Sequence, residues 1–119
     1  MSASAASNSL KGKLVLITGA SGGIGRAVAQ QLVLHDCDLA LHYSSNALAV
    51  EELVAQLRHD YETLKPNSSR YLRITTHQAD MEIADEVIGL VEEVKEKQGR
   101  GVDVLVSNAG RGKRITDIW

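Results

Sequence analysis

Short apolar segments alternate with amphipathic segments along this chain, and this alternation limits the possible folds more than any other feature of the sequence. Four runs that contain apolar or β-branched residues are predicted strands, at 13–18, 39–43, 71–78 and 102–107. The three segments between them have helical spacing. Strands that alternate with helices form a parallel sheet through right-handed crossovers. The predicted fold class is therefore α/β, with an incomplete doubly wound sheet of about four strands and three helices.

Caps and stop signals mark the predicted helices. The first runs from Gly23 to about His35, and the residues at helical spacing in it are Ile24, Ala27, Val28, Gln31 and Leu32. Asn46 is the expected N-cap of the second helix, which ends before Pro66. Asp80 is the expected N-cap of the third helix, and Gly99 its stop signal.

Composition indicates one soluble globular domain, which we place at 11–119, after a disordered leader at 1–10 that lacks the features of a secretory signal. Hydrophobic residues make up 44% of the chain and charged residues 24%. A net charge of -2 gives no reason to expect nucleic acid or a membrane as a partner. Cys37 is the only cysteine, which fits a reducing compartment and predicts a cytoplasmic location. The cysteine and histidine pattern predicts no metal site.

A glycine-rich segment, T-G-A-S-G-G-I-G from Thr18 to Gly25, joins the first predicted strand to the first helix. Gly19 allows a sharp turn, Gly23 leaves room for a pyrophosphate at the backbone, and Gly25 allows close packing of the helix. The helix N-terminus then offers backbone N–H groups to the phosphates. A merely flexible turn is the alternative, but four glycines in seven residues at this junction favour phosphate binding. The candidate contacts are Gly19, Ser21, Gly22, Gly23, Ile24 and Gly25.

Two motifs in this chain resemble those of the short-chain dehydrogenase/reductase family. T-G-A-S-G-G-I-G resembles the family signature T-G-x-x-x-G-x-G, and Ser107-Asn108-Ala109-Gly110 resembles its N-A-G motif. The resemblance extends from Lys11 to Trp119. It implies a partial, Rossmann-type NAD(P)-binding domain of an oxidoreductase that acts on a carbonyl or an alcohol. The segment His42–Asn46 is most similar to the 3-oxoacyl-[acyl-carrier-protein] reductase branch, which suggests a 3-oxoacyl thioester as substrate.

The end of the second predicted strand favours NADP over NAD. NAD-preferring sites usually have a carboxylate there, which accepts hydrogen bonds from the ribose hydroxyls. This chain has Tyr43, Ser44, Ser45 and Asn46 instead, and these could donate hydrogen bonds to a 2′-phosphate. Ordinary helix capping by the same residues is the alternative, and the two roles are compatible.

Residues after the third and fourth strands receive cofactor roles from the resemblance alone. The family pattern implies that Asp80 and Met81 contact adenine, a role compatible with capping by Asp80. It also implies that Asn108, Ala109 and Gly110 lie beside the ribose and nicotinamide. A purely structural role for Asn108, as a tie between strands, is equally open.

No catalytic residue is assigned in this chain. The family uses a Tyr-x-x-x-Lys pair located after a fifth strand, whereas the matching pair here, Tyr61 and Lys65, lies in the second predicted helix. We therefore interpret Tyr61 as part of an apolar face and expect no turnover by this chain alone. Three hypotheses remain: part of an NADP-dependent oxidoreductase, a non-catalytic NADP(H)-binding module, and a fragment that pairs its open sheet edge with another chain or a second copy.

Overall fold

The computed structural model describes residues 10–68 and 70–108, which form one sheet and three α-helices. The elements, in chain order, are β1 (Leu14–Ile17), α1 (Gly23–Val33), β2 (Asp38–Tyr43), α2 (Ala47–Leu64), β3 (Ile74–Gln78), α3 (Ala84–Gln98) and β4 (Val104–Val106). Of the predicted leader, residues 1–9 lie outside the described part, and Leu10 packs against the core.

The four strands are parallel and lie in the order β3-β2-β1-β4. Leu14 of β1 is in register with Asp38, and Val15 is in register with both Leu39 and Val104. Because β2 and β4 lie on opposite sides of β1, the chain reverses its direction of winding after β3. This arrangement confirms the predicted α/β, Rossmann-type class, with four strands and three helices.

Each face of the sheet has its own hydrophobic core. Side chains such as Val15, Ile17 and Leu41 pack together with Ala29 and Val33 of α1 and with the buried face of α2. On the opposite face, Leu14, Leu16 and Ala40 pack against Leu90 and Val94 of α3. Burial on both faces explains why β1 and the middle of β2 are continuous apolar runs instead of alternating polar and apolar residues.

The helically spaced residues of α1 face the core only in part: Val28 and Leu32 pack against it. The helix buries Gly25, Ala29 and Val33, whereas Ile24 is 71% exposed. Small residues permit the close approach of this helix to the loop before it and to the sheet, so the buried face follows size as well as hydropathy. The interpretation of Tyr61 as part of an apolar face of α2 is confirmed, since Val50, Leu53, Leu57 and Tyr61 are all buried, whereas Leu64 at the end of the helix is 62% exposed.

Asp80 does not cap α3, contrary to the sequence prediction. The helix begins at Ala84, and its N-cap is Ile83, which makes no side-chain capping bond. The Asp80 carboxylate instead accepts a hydrogen bond from the Glu82 N–H over 2.9 Å, forming a local turn of the kind that aspartate favours. The predicted stop at Gly99 is confirmed, since this residue has φ 76° at the helix C-cap.

Among the described residues, none of the helices is both long enough and apolar enough to cross a membrane.

Candidate functional site

The candidate site lies at the carboxyl edge of the sheet, where the segments that follow the four strands come together. Parallel strands place all their carboxyl ends at one edge, and ligands of open α/β sheets bind in the crevice where the winding reverses. Here that crevice lies between β1 and β4. The predicted site residues that the structure describes lie at the end of a strand or in the segment after it, at this edge; Ala109 and Gly110 lie outside the described residues.

The glycine loop turns sharply after β1. Gly19 has φ 65°, a conformation that favours glycine, and its carbonyl oxygen accepts a hydrogen bond from the Gly22 N–H over 3.2 Å. Gly22 is the N-cap of α1, and no side chain caps that helix. Its first turn also contains no acidic residue. The first turn of α1 therefore places no carboxylate of its own at the helix N-terminus.

Gly25 and Gly23 have different surroundings. A Cβ atom at Gly25 would collide with the Gly19 carbonyl oxygen and would lie 2.9 Å from the Ala20 Cα and 3.0 Å from the Asn108 Nδ2. These neighbours are mostly backbone atoms and cannot move aside. A Cβ atom at Gly23 would meet no atom of residues 10–68 and 70–108 within 4 Å. Gly25 is thus needed for packing, while the bare backbone at Gly23 borders open space.

Asn108 connects β4 to the glycine loop. Its backbone N–H donates to Thr18 Oγ1 over 2.8 Å, and its Nδ2 donates to the Gly19 carbonyl oxygen over 3.3 Å. The predicted tie between adjoining strands is therefore present. These bonds hold the first turn of the loop against the end of β4.

The segment after β2 is exposed and leads into α2, whose N-terminus has a side-chain cap. Ser44, Ser45 and Asn46 are all exposed, and the Asn46 Oδ1 accepts a hydrogen bond from the Ala49 N–H over 3.1 Å. Gln78 donates to the Ser44 carbonyl oxygen over 2.7 Å. The predicted capping role of Asn46 is confirmed. Tyr43 is half-buried at the end of β2 and packs against the core.

Asp80 and Met81 follow β3 and lie at the same edge of the sheet. The Asp80 N–H donates to Glu86 Oε1 over 2.7 Å, so a carboxylate of α3 fixes the start of this loop. Met81 is half-buried against the core face that contains Ala79 and Leu90. The backbone after β3 is therefore held in place by the hydrophobic core and by Glu86 of α3.

His42 is a site component that the sequence analysis did not identify. The residue is 1% exposed, and its ring Nδ1 accepts a hydrogen bond from the Gly19 N–H over 3.0 Å. Its Nε2 lies 2.8 Å from the Ala79 carbonyl oxygen. The partners lie 23 and 37 residues away in the chain, and no local pattern could have indicated them.

Tyr61 and Lys65 lie at the opposite edge of the sheet. Both contact Asp36, which precedes β2: Tyr61 donates to Oδ1 over 2.6 Å, and Lys65 to Oδ2 over 2.8 Å. Burial raises the pKa of the Tyr61 hydroxyl, and its bond to Asp36 raises that pKa further. Burial of Asp36 opposes ionisation, but the bonds from Lys65 and Tyr61 outweigh it and lower the pKa of this carboxyl group. The cluster joins the ends of α1 and α2, away from the candidate site.

Within the described ranges, no group of three or more histidine, cysteine, aspartate or glutamate residues is placed to hold a metal ion.

Comparison with known proteins identifies the class. The family model described as short chain dehydrogenase matches residues 13–118, which is most of the chain. The chain therefore belongs to the short-chain dehydrogenase family. It spans about one third of the length of the curated relatives it matches.

One curated relative is the 3-oxoacyl-[acyl-carrier-protein] reductase of Staphylococcus aureus, 37% identical over 82% of this chain and 35% of the relative. Among solved structures, a putative dehydrogenase from Burkholderia cenocepacia with bound NADP is 29% identical, with a TM-score of 0.71 over 92% of this chain and 39% of that one. The NADPH-dependent 3-quinuclidinone reductase from Rhodotorula rubra is 32% identical, with a TM-score of 0.72 over 89% of this chain and 36% of that one.

Proposed function

We propose that this chain binds NADP(H) at the carboxyl edge of its sheet, as the cofactor-binding part of an oxidoreductase. The observation that carries the proposal is the contrast between two glycines of one loop. Gly25 is required because a Cβ atom there would collide with neighbouring backbone atoms. A Cβ atom at Gly23, at the start of α1, would meet no described residue. A glycine with empty space beside it, at a helix N-terminus, suits the close approach of a diphosphate to the backbone.

The diphosphate rests on the glycine loop in this proposal. Ser21, Gly22, Gly23 and Ile24 present the loop and the first turn of α1 to it, and the positive end of the helix dipole favours its charge. Ile24, 71% exposed, lies at the same helix end. Gly19 and Gly25 act indirectly, because they give the loop its shape.

A 2′-phosphate is accommodated after β2. Ser44, Ser45 and Asn46 are exposed there, with the N-terminus of α2 behind them. The absence of an acidic side chain from the first turn of α2 leaves the positive end of this helix dipole uncompensated. Both features favour NADP over NAD, and the two solved relatives named above carry NADP or depend on NADPH. Tyr43 borders this segment.

The other two loops take the rest of the cofactor. Asp80 and Met81, held by Glu86 and by the core, border the adenine. Asn108, with Ala109 and Gly110, borders the ribose and nicotinamide. When bound, the cofactor supplies the hydride for reduction of a carbonyl, while this chain binds and orients it.

The substrate proposed is a 3-oxoacyl thioester, since the Staphylococcus aureus relative is a 3-oxoacyl-[acyl-carrier-protein] reductase. A cytoplasmic location is proposed with it. The proposal assigns no catalytic residue in this chain, because Tyr61 and Lys65 are bonded to Asp36 at the other edge.

Substitution of Gly23 tests the proposed diphosphate site. Gly23→Ala places a methyl group in open space, so we expect unchanged folding but NADPH affinity lowered by about ten-fold or more, since lost phosphate contacts of about 1.4 kcal/mol suffice for this. Gly89→Ala is the matched control, because a Cβ there also meets nothing and the residue lies in α3. Isothermal titration calorimetry measures both variants. Equal NADPH affinity in the two would contradict the diphosphate assignment.

Substitution of Ser44 tests the preference for NADP. Ser44→Asp puts a carboxylate beside the proposed 2′-phosphate, and we expect weaker NADPH binding with NADH binding unchanged or improved. Asn67→Asp makes the same charge change on an exposed residue beyond the C-terminal end of α2, and should leave both affinities unchanged. A Ser44→Asp variant that binds NADPH as the wild type does would exclude a 2′-phosphate from this segment.

A further inference from the structure

His42 joins two of the loops that form the candidate site. Its ring lies at the end of β2 and is buried. Through Nδ1 it contacts the Gly19 N–H of the glycine loop, and through Nε2 it contacts the carbonyl oxygen of Ala79, the residue before Asp80. One side chain therefore bridges the turn after β1 and the turn after β3.

The two partners of the His42 ring fix its protonation. A backbone N–H only donates hydrogen bonds, so Nδ1 must be unprotonated to accept the bond from Gly19. A backbone carbonyl only accepts, so Nε2 must carry the proton that bonds to Ala79. The ring is consequently the neutral Nε2–H tautomer, and no other protonation state makes both bonds.

The backbone of His42 strengthens its hold on the glycine loop. Its carbonyl oxygen accepts a hydrogen bond from the Ala20 N–H over 2.8 Å. Two consecutive amides of the loop, those of Gly19 and Ala20, are thus bound by a single residue of β2. On the other side, Asn108 binds the Gly19 carbonyl oxygen. The first turn of the loop is clamped between the ends of β2 and β4.

From this geometry we infer that His42 is a positioning residue that holds the glycine loop and the loop after β3 at the separation spanned by one dinucleotide. The inference rests on the proposed function, which places the diphosphate on the first loop and adenine on the second. A ligand that contacts both loops depends on their relative position. A ligand that contacts the loop after β3 and the segment after β2, but not the glycine loop, does not.

This dependence distinguishes positioning from mere stabilisation of the fold. If a buried histidine only stabilises the sheet, its removal would weaken the binding of every ligand to a similar extent, or would leave all the affinities unchanged. If the histidine instead sets the distance between the two loops, its removal would selectively weaken the binding of a ligand that contacts both loops. Such a ligand must then restore the alignment of the loops at the expense of its own binding energy.

The experiment compares NADPH with adenosine 2′-phosphate, which has the adenine and the 2′-phosphate but no diphosphate. Calorimetric titrations use the whole chain at pH 7.5, with wild type, His42→Leu and His42→Asn. We expect His42→Leu to lower the affinity for NADPH by about ten-fold or more, and the affinity for adenosine 2′-phosphate by less than about three-fold. His35→Leu, at an exposed histidine after α1, is the matched control and should change neither affinity.

The outcomes distinguish a failure of the proposed function from a failure of the role inferred for His42. A wild-type chain that does not bind NADPH contradicts the proposed function. A wild type that binds NADPH, with a His42→Leu variant that weakens both ligands equally or neither, overturns the role of His42 alone.

If His42→Leu does not fold, His42→Asn decides, because the Asn oxygen can replace Nδ1 as acceptor for Gly19 while the bond to Ala79 is lost. This variant should still lower the affinity for NADPH more than the affinity for adenosine 2′-phosphate. Equal losses of affinity for the two ligands would overturn the inference. Long-range ¹H–¹⁵N spectra of the wild type should also show His42 with a proton on Nε2 only. A proton on Nδ1 would equally overturn the inference.

Discussion

Gly25 sits at the most crowded point of the site. The Gly19 carbonyl oxygen, the Ala20 Cα and the Asn108 side chain surround the position that a Cβ would take. Alanine normally stabilises a helix relative to glycine by about 1 kcal/mol. At Gly25 that gain competes with a collision against backbone atoms, which have little freedom to move.

We therefore predict that Gly25→Ala destabilises the chain, with overpacking costing about 1–3 kcal/mol before the helix gain is subtracted. Urea unfolding followed by circular dichroism measures the change. Gly89→Ala, in α3 and without close neighbours, should gain stability under the same conditions. A Gly25→Ala variant as stable as Gly89→Ala would mean that the loop is not packed as described.

His77 is a second buried histidine, beside His42 in the register of β3 with β2. Its Nδ1 lies 2.9 Å from Glu93 Oε1 of α3, and its Nε2 lies 2.7 Å from Thr75 Oγ1. Burial lowers the pKa of His77, and the nearby charge of Lys97 acts in the same direction, while Glu93 opposes them. The lowered pKa means that the folded state resists protonation of this ring.

A histidine whose pKa is lower in the folded state than in the unfolded one makes stability depend on pH. The unfolded chain takes up a proton as the pH falls through about 6.5, the ordinary histidine value, while the folded chain does not. Stability from this group is therefore complete above that pH and is lost below it. We predict that the free energy of unfolding declines from pH 7 to pH 5, and declines less in His77→Gln.

Denaturant unfolding at several pH values measures these slopes. His35→Gln, at an exposed histidine, is the control and should keep the wild-type slope. A His77→Gln variant with the same pH slope as the wild type would contradict the account of this residue.

At the scale of the elements, the ends of α1 and α2 are joined by Asp36. This residue has φ 62°, and its carboxylate takes hydrogen bonds from Tyr61 and Lys65. Asp36→Asn keeps a residue type that tolerates this backbone conformation but removes the charge. The substitution therefore isolates the electrostatic part of the junction.

We predict that Asp36→Asn destabilises the chain by about 1–3 kcal/mol, because Lys65 then lacks its charged partner. The folded-state pKa of Asp36 is lowered, so its contribution is complete above about pH 4 and is lost as the pH falls further. Thermal unfolding at pH 7 and pH 3 measures both parts. A variant whose deficit at pH 3 equals that at pH 7 would contradict the charge-based explanation. NADPH affinity should not change, since the junction lies at the other edge of the sheet.

The elements themselves were largely predictable from the sequence, and their exact faces and ends were not. Apolar runs predicted β1 and β2, which are buried on both faces, and β-branched residues predicted β3. The full buried face of α1 was not predictable, because Gly25 and Ala29 are buried for their small size, which hydropathy does not record. The start of α3 was mispredicted because Asp80 bonds to Glu82 and Glu86 instead of capping a helix.

For the whole molecule, the position of the candidate site follows from topology. Parallel strands bring the segments after β1, β2, β3 and β4 to one edge, so four sequence motifs far apart in the chain become neighbours. The sequence could predict which segments meet there. It could not predict what holds them together, because the bonds of His42 and Asn108 join residues that only the fold brings into contact.

Binding of NADPH to the carboxyl edge is the central claim, and backbone amide spectra of the ¹⁵N-labelled chain test it most directly. Titration with NADPH should give saturable shifts at Gly19–Gly25, at Ser44–Asn46 and at Asp80–Met81, with the segment Tyr61–Ser68 at the opposite edge unchanged. A titration without saturable shifts, or with shifts concentrated at that opposite edge, would contradict the account.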